Sequence, residues 1–270
     1  MNKNGEREQA GFHKANKHPL GEWAVHNLLV VRGLKRAFGG VYARIEPATL
    51  KLRRKTPYPL IFCLTHTGWF DGHIAALLNK RLFEHDAYLM MEEPNLARYP
   101  FFTWAGVFGI DRDDPRKALA SIEYIAGLLA QTGNKALWMF PQGTMRHPDD
   151  RPLKLFGGVA NIARRVGRCA IVPVAIRYDF MMDQAPDAYV RIGAPILFDP
   201  EDRAGGSRGL TETLRLAMEA EADLLHAEVS AYNRDGYKLV LAGRGSINKT
   251  WDAALKGVSR IKQLVGGRRG

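Results

Sequence analysis

The sequence predicts an α/β fold: one domain built on a mixed, largely parallel sheet flanked by helices. Three observations carry this reading. Short apolar runs of strand length recur at 59–65, 136–140 and 170–178. Stretches with apolar residues at helical spacing lie between them. No linker-like composition shift or internal repeat divides the 270 residues. Strands alternating with helices are the signature of α/β layering.

Taken in order, residues 1–17 are polar and basic and read as a disordered tail before a single domain over 18–270. Residues 20–38 follow as an amphipathic helix, with Trp23, Val31, Leu34 and Phe38 on one face and Arg32, Lys35 and Arg36 beside it. A strand is expected over 41–52, then the basic turn Arg53-Arg54-Lys55-Thr56-Pro57, then the buried strand 59–65. Residues 66–71 form a loop and 71–83 a helix. Short strands follow at 88–91 and 107–111.

Asp113-Asp114-Pro115 starts a helix, an acidic cap followed by proline in the first turn, with Leu119, Ile122, Ile125, Ala126 and Leu129 on its apolar face. Beyond it come strand 136–140, helix 158–166, strands 170–178 and 189–196, and helix 210–232. The last element is an amphipathic helix over 249–265.

Lys and Arg outnumber Asp and Glu by 39 to 28, a net charge of +11, which favours anionic partners. Nucleic acid is the poorer match, because the basic residues are dispersed and no nucleic-acid motif accompanies them. Helices 20–38 and 249–265, with Arg268 and Arg269 beyond, are the expected contacts with an anionic membrane surface. No run of about 18 apolar residues is present, nor the apolar stretch of a signal peptide. The expected location is therefore cytoplasmic, peripheral on the inner face of the cell membrane. Cys63 and Cys169 sit in apolar runs and read as core thiols. No metal-ligand spacing occurs, and no cofactor motif.

The segment with the most chemistry is His66-Thr67-Gly68-Trp69-Phe70-Asp71-Gly72-His73, where a buried strand gives way to a helix. A loop of that length can return the Asp71 carboxylate to the His66 imidazole. The carboxylate then fixes the tautomer and leaves the other ring nitrogen to take a proton. Asp71 also reads as a simple helix N-cap, and His66 as a satisfied loop histidine. A serine hydrolase would need a nucleophile elbow between strand and helix, and the Gly-x-Ser-x-Gly match at 205–209 follows no apolar run of strand type.

Three further segments follow in order: Gly106-Val107-Phe108-Gly109-Ile110-Asp111-Arg112, Phe140-Pro141-Gln142-Gly143-Thr144-Met145-Arg146, and Ile171-Val172-Pro173-Val174-Ala175. With the His-x4-Asp segment they resemble the four blocks of the glycerolipid acyltransferases, the family that includes lysophosphatidic-acid acyltransferases. The resemblance covers residues 66–175, a little under half of the chain. It implies a glycerol-phosphate-acyltransferase-like fold and transfer of a fatty acyl chain from a thioester, acyl-CoA or acyl-carrier protein, to a lipid hydroxyl.

His66 would be the general base and Asp71 its partner. Backbone N–H groups around Gly143 and Thr144 would hold the oxyanion. Arg112 and Arg146 would clamp phosphate, Gln142 would contact the acceptor, and Trp69, Phe70 and Pro173 would border the pocket. Two departures stand out: Gln142 replaces the usual glutamate, and Met145 the frequent arginine. The aromatic pair and Phe-Pro-Gln-Gly are similar to a subgroup linked to other acceptors, such as glycolipids or glycosylated carotenoids. A nucleic-acid-binding module, motivated by the charge, and a lipid-binding protein without turnover are the non-enzymatic alternatives.

Overall fold

The computed structural model describes residues 11–52, 56–181, 183–201 and 206–244. The expected helix 249–265, Arg268, Arg269 and residues 53–55 of the basic turn lie outside them.

Among the described residues nine strands form one sheet, in the order β4-β3-β5-β2-β6-β7-β1-β9, with β8 paired to β6. The strands are β1 Gly40–Ile45, β2 Leu60–Leu64, β3 Asp86–Glu92, β4 Val107–Ile110, β5 Lys135–Met139, β6 Cys169–Asp179, β7 Asp187–Ile192, β8 Ile196–Phe198 and β9 Lys238–Ala242. The β4-β3-β5-β2-β6 stretch is parallel throughout. β7 joins β6 antiparallel and β1 joins β7 parallel, so the sheet is mixed. The protein is a single mixed α/β domain, as its sequence implied.

Helices cover both faces of the central strands, which therefore carry near-continuous apolar runs: β2 is buried along its whole length. On one face lie α1 (19–37) and α3 (Asp71–Leu78, prolonged by a π turn Asn79–Phe83), whose Leu34, Ile74, Leu77 and Leu78 meet Phe62, Leu64 and Trp138. On the other lie α5 (Pro115–Leu129), α6 (Gly158–Val166) and α7 (Gly206–Ser230), through Ile125, Ile162 and Met218 against Ile61, Cys63 and Leu137. Pro115 starts α5 as expected, and the Asp114 carboxylate accepts the N–H groups of Arg116 and Lys117. Burial pushes the Cys169 thiol up to about 12 and that of Cys63 higher still, so both are inert core groups.

Several boundaries differ from expectation. The strand expected over 41–52 stops at Ile45, because Pro47 begins a short helix, α2 (Pro47–Leu50). Trp23 leaves the buried face of α1: it is 58% exposed, whereas Leu34 is fully buried. The cause is a π segment, Val25–Val31, whose wider turns shift the phase between the two α-helical ends. Leu119 of α5 is likewise exposed.

Residues 11–17 do not behave as a free tail. Phe12 is 2% exposed within the lower core, and the His13 carbonyl accepts the Gly109 N–H at 2.8 Å on the edge strand β4. The buried Phe12 ring, the His13–Glu93 pair and the Asn16 N–H donated to the Thr103 carbonyl seat the segment together. Three further elements were not anticipated: α4 (Glu93–Arg98) with the 3₁₀ stretch Pro100–Ala105, β8, because the strand expected over 189–196 ends at Ile192, and β9.

Candidate active site

Parallel strands place their carboxyl ends on one edge, and the expected site gathers there. His66 leaves β2 two residues after Leu64. Its Nδ1–H donates to Asp71 Oδ2 at 2.8 Å, and its ring stacks on Phe140 with centroids 4.4 Å apart. Asp71 is completely buried. The same Oδ2 accepts the N–H groups of Thr67 (2.7 Å) and Gly68 (2.9 Å). These donors belong to the loop, and the carboxylate makes no capping bond to its own helix. The simple N-cap reading therefore fails: Asp71 folds the loop and orients the imidazole together. Nε2 is left for a substrate proton.

His66 opens onto a cavity of about 680 Å³. Volumes of roughly 300–1,000 Å³ are usual for small-molecule sites. Its walls are largely apolar, with Val30, Ala76, Leu89, Phe102 and Trp138 among them, and its lining extends to Lys17, His85 and Asp86. Asp86 begins β3 and His66 follows the end of parallel β2, so the cavity runs the length of the strands. His73 also lines it, and burial lowers the pKa of that ring below the ordinary histidine value.

The remaining expected residues divide. Trp69 lines the cavity and is 68% exposed at its mouth. Gly143, Thr144 and Arg112 line it as well. Gly143 has φ +69°, and a Cβ there would collide with the Arg112 guanidinium and the Phe156 ring. Its N–H is committed to the Phe140 carbonyl at 3.0 Å, so it is no oxyanion donor. The Thr144 N–H makes no hydrogen bond to the described residues. Arg112 is not a free cation: Glu92 pairs with it, and Phe156 lies 5.6 Å from it.

Four expectations shift. Gln142 is 4% exposed and does not line the cavity; its side-chain carbonyl accepts the His66 N–H at 2.8 Å. The amide oxygen satisfies a strand-end donor, which places the residue behind the site. The Arg146 side chain is exposed and outside the cavity, while its backbone N–H donates to the His66 carbonyl at 2.8 Å. Pro173 is buried mid-sheet beside Cys63. Phe70 packs on Phe38 rather than on the cavity.

Sequence reasoning also missed Glu92 and Tyr178. The Tyr178 hydroxyl donates to Asp71 Oδ1. Neither residue lies in a block, and only strand order brings them to the site. Among the described residues no cluster of His, Cys, Asp or Glu is arranged to hold a metal ion.

A buried carboxylate–imidazole pair at the mouth of an apolar cavity is an arrangement suited to general-base chemistry on an apolar substrate. Residues 49–177, just under half of the chain, match the family model described as Acyltransferase. That match supports reading the protein as an acyltransferase enzyme. Among solved structures the chain is similar to the 1-acyl-sn-glycerophosphate (LPA) acyltransferase PlsC from Thermotoga maritima. Identity is 15% over 70% of this chain and 71% of that one, with a TM-score of 0.41. No curated protein matches the chain.

Proposed function

We propose that the protein moves a fatty acyl chain from a thioester, acyl-CoA or acyl-carrier protein, to the hydroxyl of a lysophospholipid or related lipid. The single observation that carries this reading is the His66–Asp71 pair opening on the long apolar cavity. Nε2 of His66 removes the acceptor proton as its oxygen attacks the thioester carbon. The C–O bond forms, the carbonyl oxygen gains charge beside the Thr144 N–H, and the C–S bond then breaks. The imidazolium returns its proton to the departing thiolate. The acyl chain lies along Leu89, Phe102 and Trp138.

One observation favours a second acceptor class. Glu92 offsets the charge of Arg112, and the exposed rings of Trp69 and Phe156 flank the mouth. A carboxylate beside aromatic faces suits a neutral glycosyl head group of a glycolipid or glycosylated carotenoid better than a phosphate.

Membrane attachment is part of the proposal. Among the described residues no helix is long and apolar enough to cross a membrane. Leu20, Trp23, Leu28 and Leu29 are exposed on α1, near Arg32, Lys35 and Arg36. This pattern supports peripheral binding to an anionic cytoplasmic face. The reading is tested by mass-spectrometric acyl transfer from palmitoyl-CoA or palmitoyl-acyl-carrier protein to lysophosphatidate and to a glycosyl lipid. His66→Ala is the control. A His66-dependent product names the acceptor. Bound lipid with no product from any pairing would move the protein to the lipid-binding class.

A further inference from the structure

We propose that Tyr178 is a positioning residue of the His66–Asp71 pair: its phenol holds the second oxygen of Asp71 and draws off part of the carboxylate charge. It thereby sets how readily His66 takes a proton. The inference rests on the general-base reading of His66 and deepens it.

Asp71 is completely buried, so both of its oxygens need protein donors. Oδ2 serves His66, Thr67 and Gly68, and Tyr178 supplies the bond to Oδ1. The ring is fixed as well. It stacks on Phe38 with centroids 5.1 Å apart and planes 21° from parallel. It also lies against Gly68, where a Cβ would come within 2.8 Å of the ring. Burial and the neighbouring Asp71 charge hold the Tyr178 phenol far above its ordinary range, so it remains a donor at every working pH.

Other charged groups near the pair are His73 on α3, Arg112 and Glu92 across the cavity mouth, and Arg146 beyond the His66 carbonyl. Arg177, next in sequence to Tyr178, is paired with Asp149. None of these bonds Asp71.

The sign follows from electrostatics. A donated O–H spreads the carboxylate charge; removing it concentrates that charge on Asp71 and stabilises the imidazolium. Tyr178→Phe keeps the ring and its stacking, so a role in packing alone would leave His66 titration where it is.

The test is an ¹⁵N-histidine NMR titration of the full chain, with the His66 signal assigned by its loss in His66→Gln. Tyr178→Phe should raise the His66 midpoint by roughly 0.5–1 pH unit. Replacing Tyr178 with 3-fluorotyrosine, a stronger donor of the same shape, should lower it; this variant also covers a poorly folded Phe mutant. Midpoints unchanged in both variants overturn the proposal. The general-base reading is judged separately, by acyl transfer in His66→Ala, so failure of one is distinguishable from failure of the other.

Discussion

The side-chain carbonyl of Gln142 accepts the backbone N–H of His66 at 2.8 Å, across 76 residues of sequence. The bond ties the end of β2 to the loop after β5 and so fixes where the imidazole starts. Gln142→Leu should orphan that N–H and cost about 1–3 kcal/mol of stability. Because small displacements of a catalytic group are expensive, kcat should fall at least ~10-fold with the acceptor KM unchanged. Steady-state kinetics and a urea melt check both. A raised acceptor KM with normal kcat would return Gln142 to the acceptor site.

His66→Ala should lower turnover by roughly 10²–10⁴-fold, the usual worth of a positioned base. Asp71→Asn should be impaired and also less stable, because an amide cannot stabilise the imidazolium and would turn an N–H₂ donor toward one of its present donors. Single-turnover rates and thermal melts read the two effects apart. Wild-type rates in either variant would remove the pair from the mechanism.

Glu92→Gln should release Arg112 from its carboxylate partner. The side chains are 31% and 40% exposed, so solvent screens the pair and it is worth on the order of 1 kcal/mol at most. The expected outcome is a roughly 3–10-fold lower KM for lysophosphatidate and none for a neutral glycosyl lipid. An equal response from both acceptors would separate Glu92 from acceptor choice.

Ala76→Phe should shorten the cavity from its α3 wall. Transfer from palmitoyl donors should fall, while short acyl donors keep their rate. Competition between C16 and C4 thioesters reads the ratio directly. An unchanged ratio would mean that the acyl chain lies elsewhere.

Stability should decline on mild acidification. Burial lowers the pKa of His26, His73 and His85 in the folded protein, whereas the unfolded chain keeps the ordinary value of ~6.5. Below ~6.5 the unfolded state therefore binds more protons. The stabilisation is complete above that pH and is lost as pH falls toward the depressed folded values. Urea midpoints at pH 7.5 and 5.5 should differ, and His85→Gln should reduce the difference. A flat profile would mean that these rings charge without penalty.

Much of this molecule was written locally. Apolar runs of strand length predicted β2, β5 and β6; Asp114 and Pro115 predicted the start of α5; and the five-residue spacing of His66 and Asp71 predicted a loop that closes on itself. Local patterns read well because caps, turns and short loops are decided within a few residues. Phase along a helix read less well: the π segment in α1 leaves no periodic mark, so Trp23 was assigned to the wrong face.

What only the tertiary structure decided is who meets the loop. Cys63 of β2 lies between Met139 of β5 and Pro173 of β6 in parallel register. That order carries Gln142 behind His66 and Tyr178 onto Asp71, while β3 beside β4 brings Glu92 to Arg112. The sequence by itself determined the His66–Asp71 contact, because its partners are five residues apart. The groups that hold that pair and temper its charge come from strands up to 107 residues away, and their meeting depends on a strand order that no local pattern encodes.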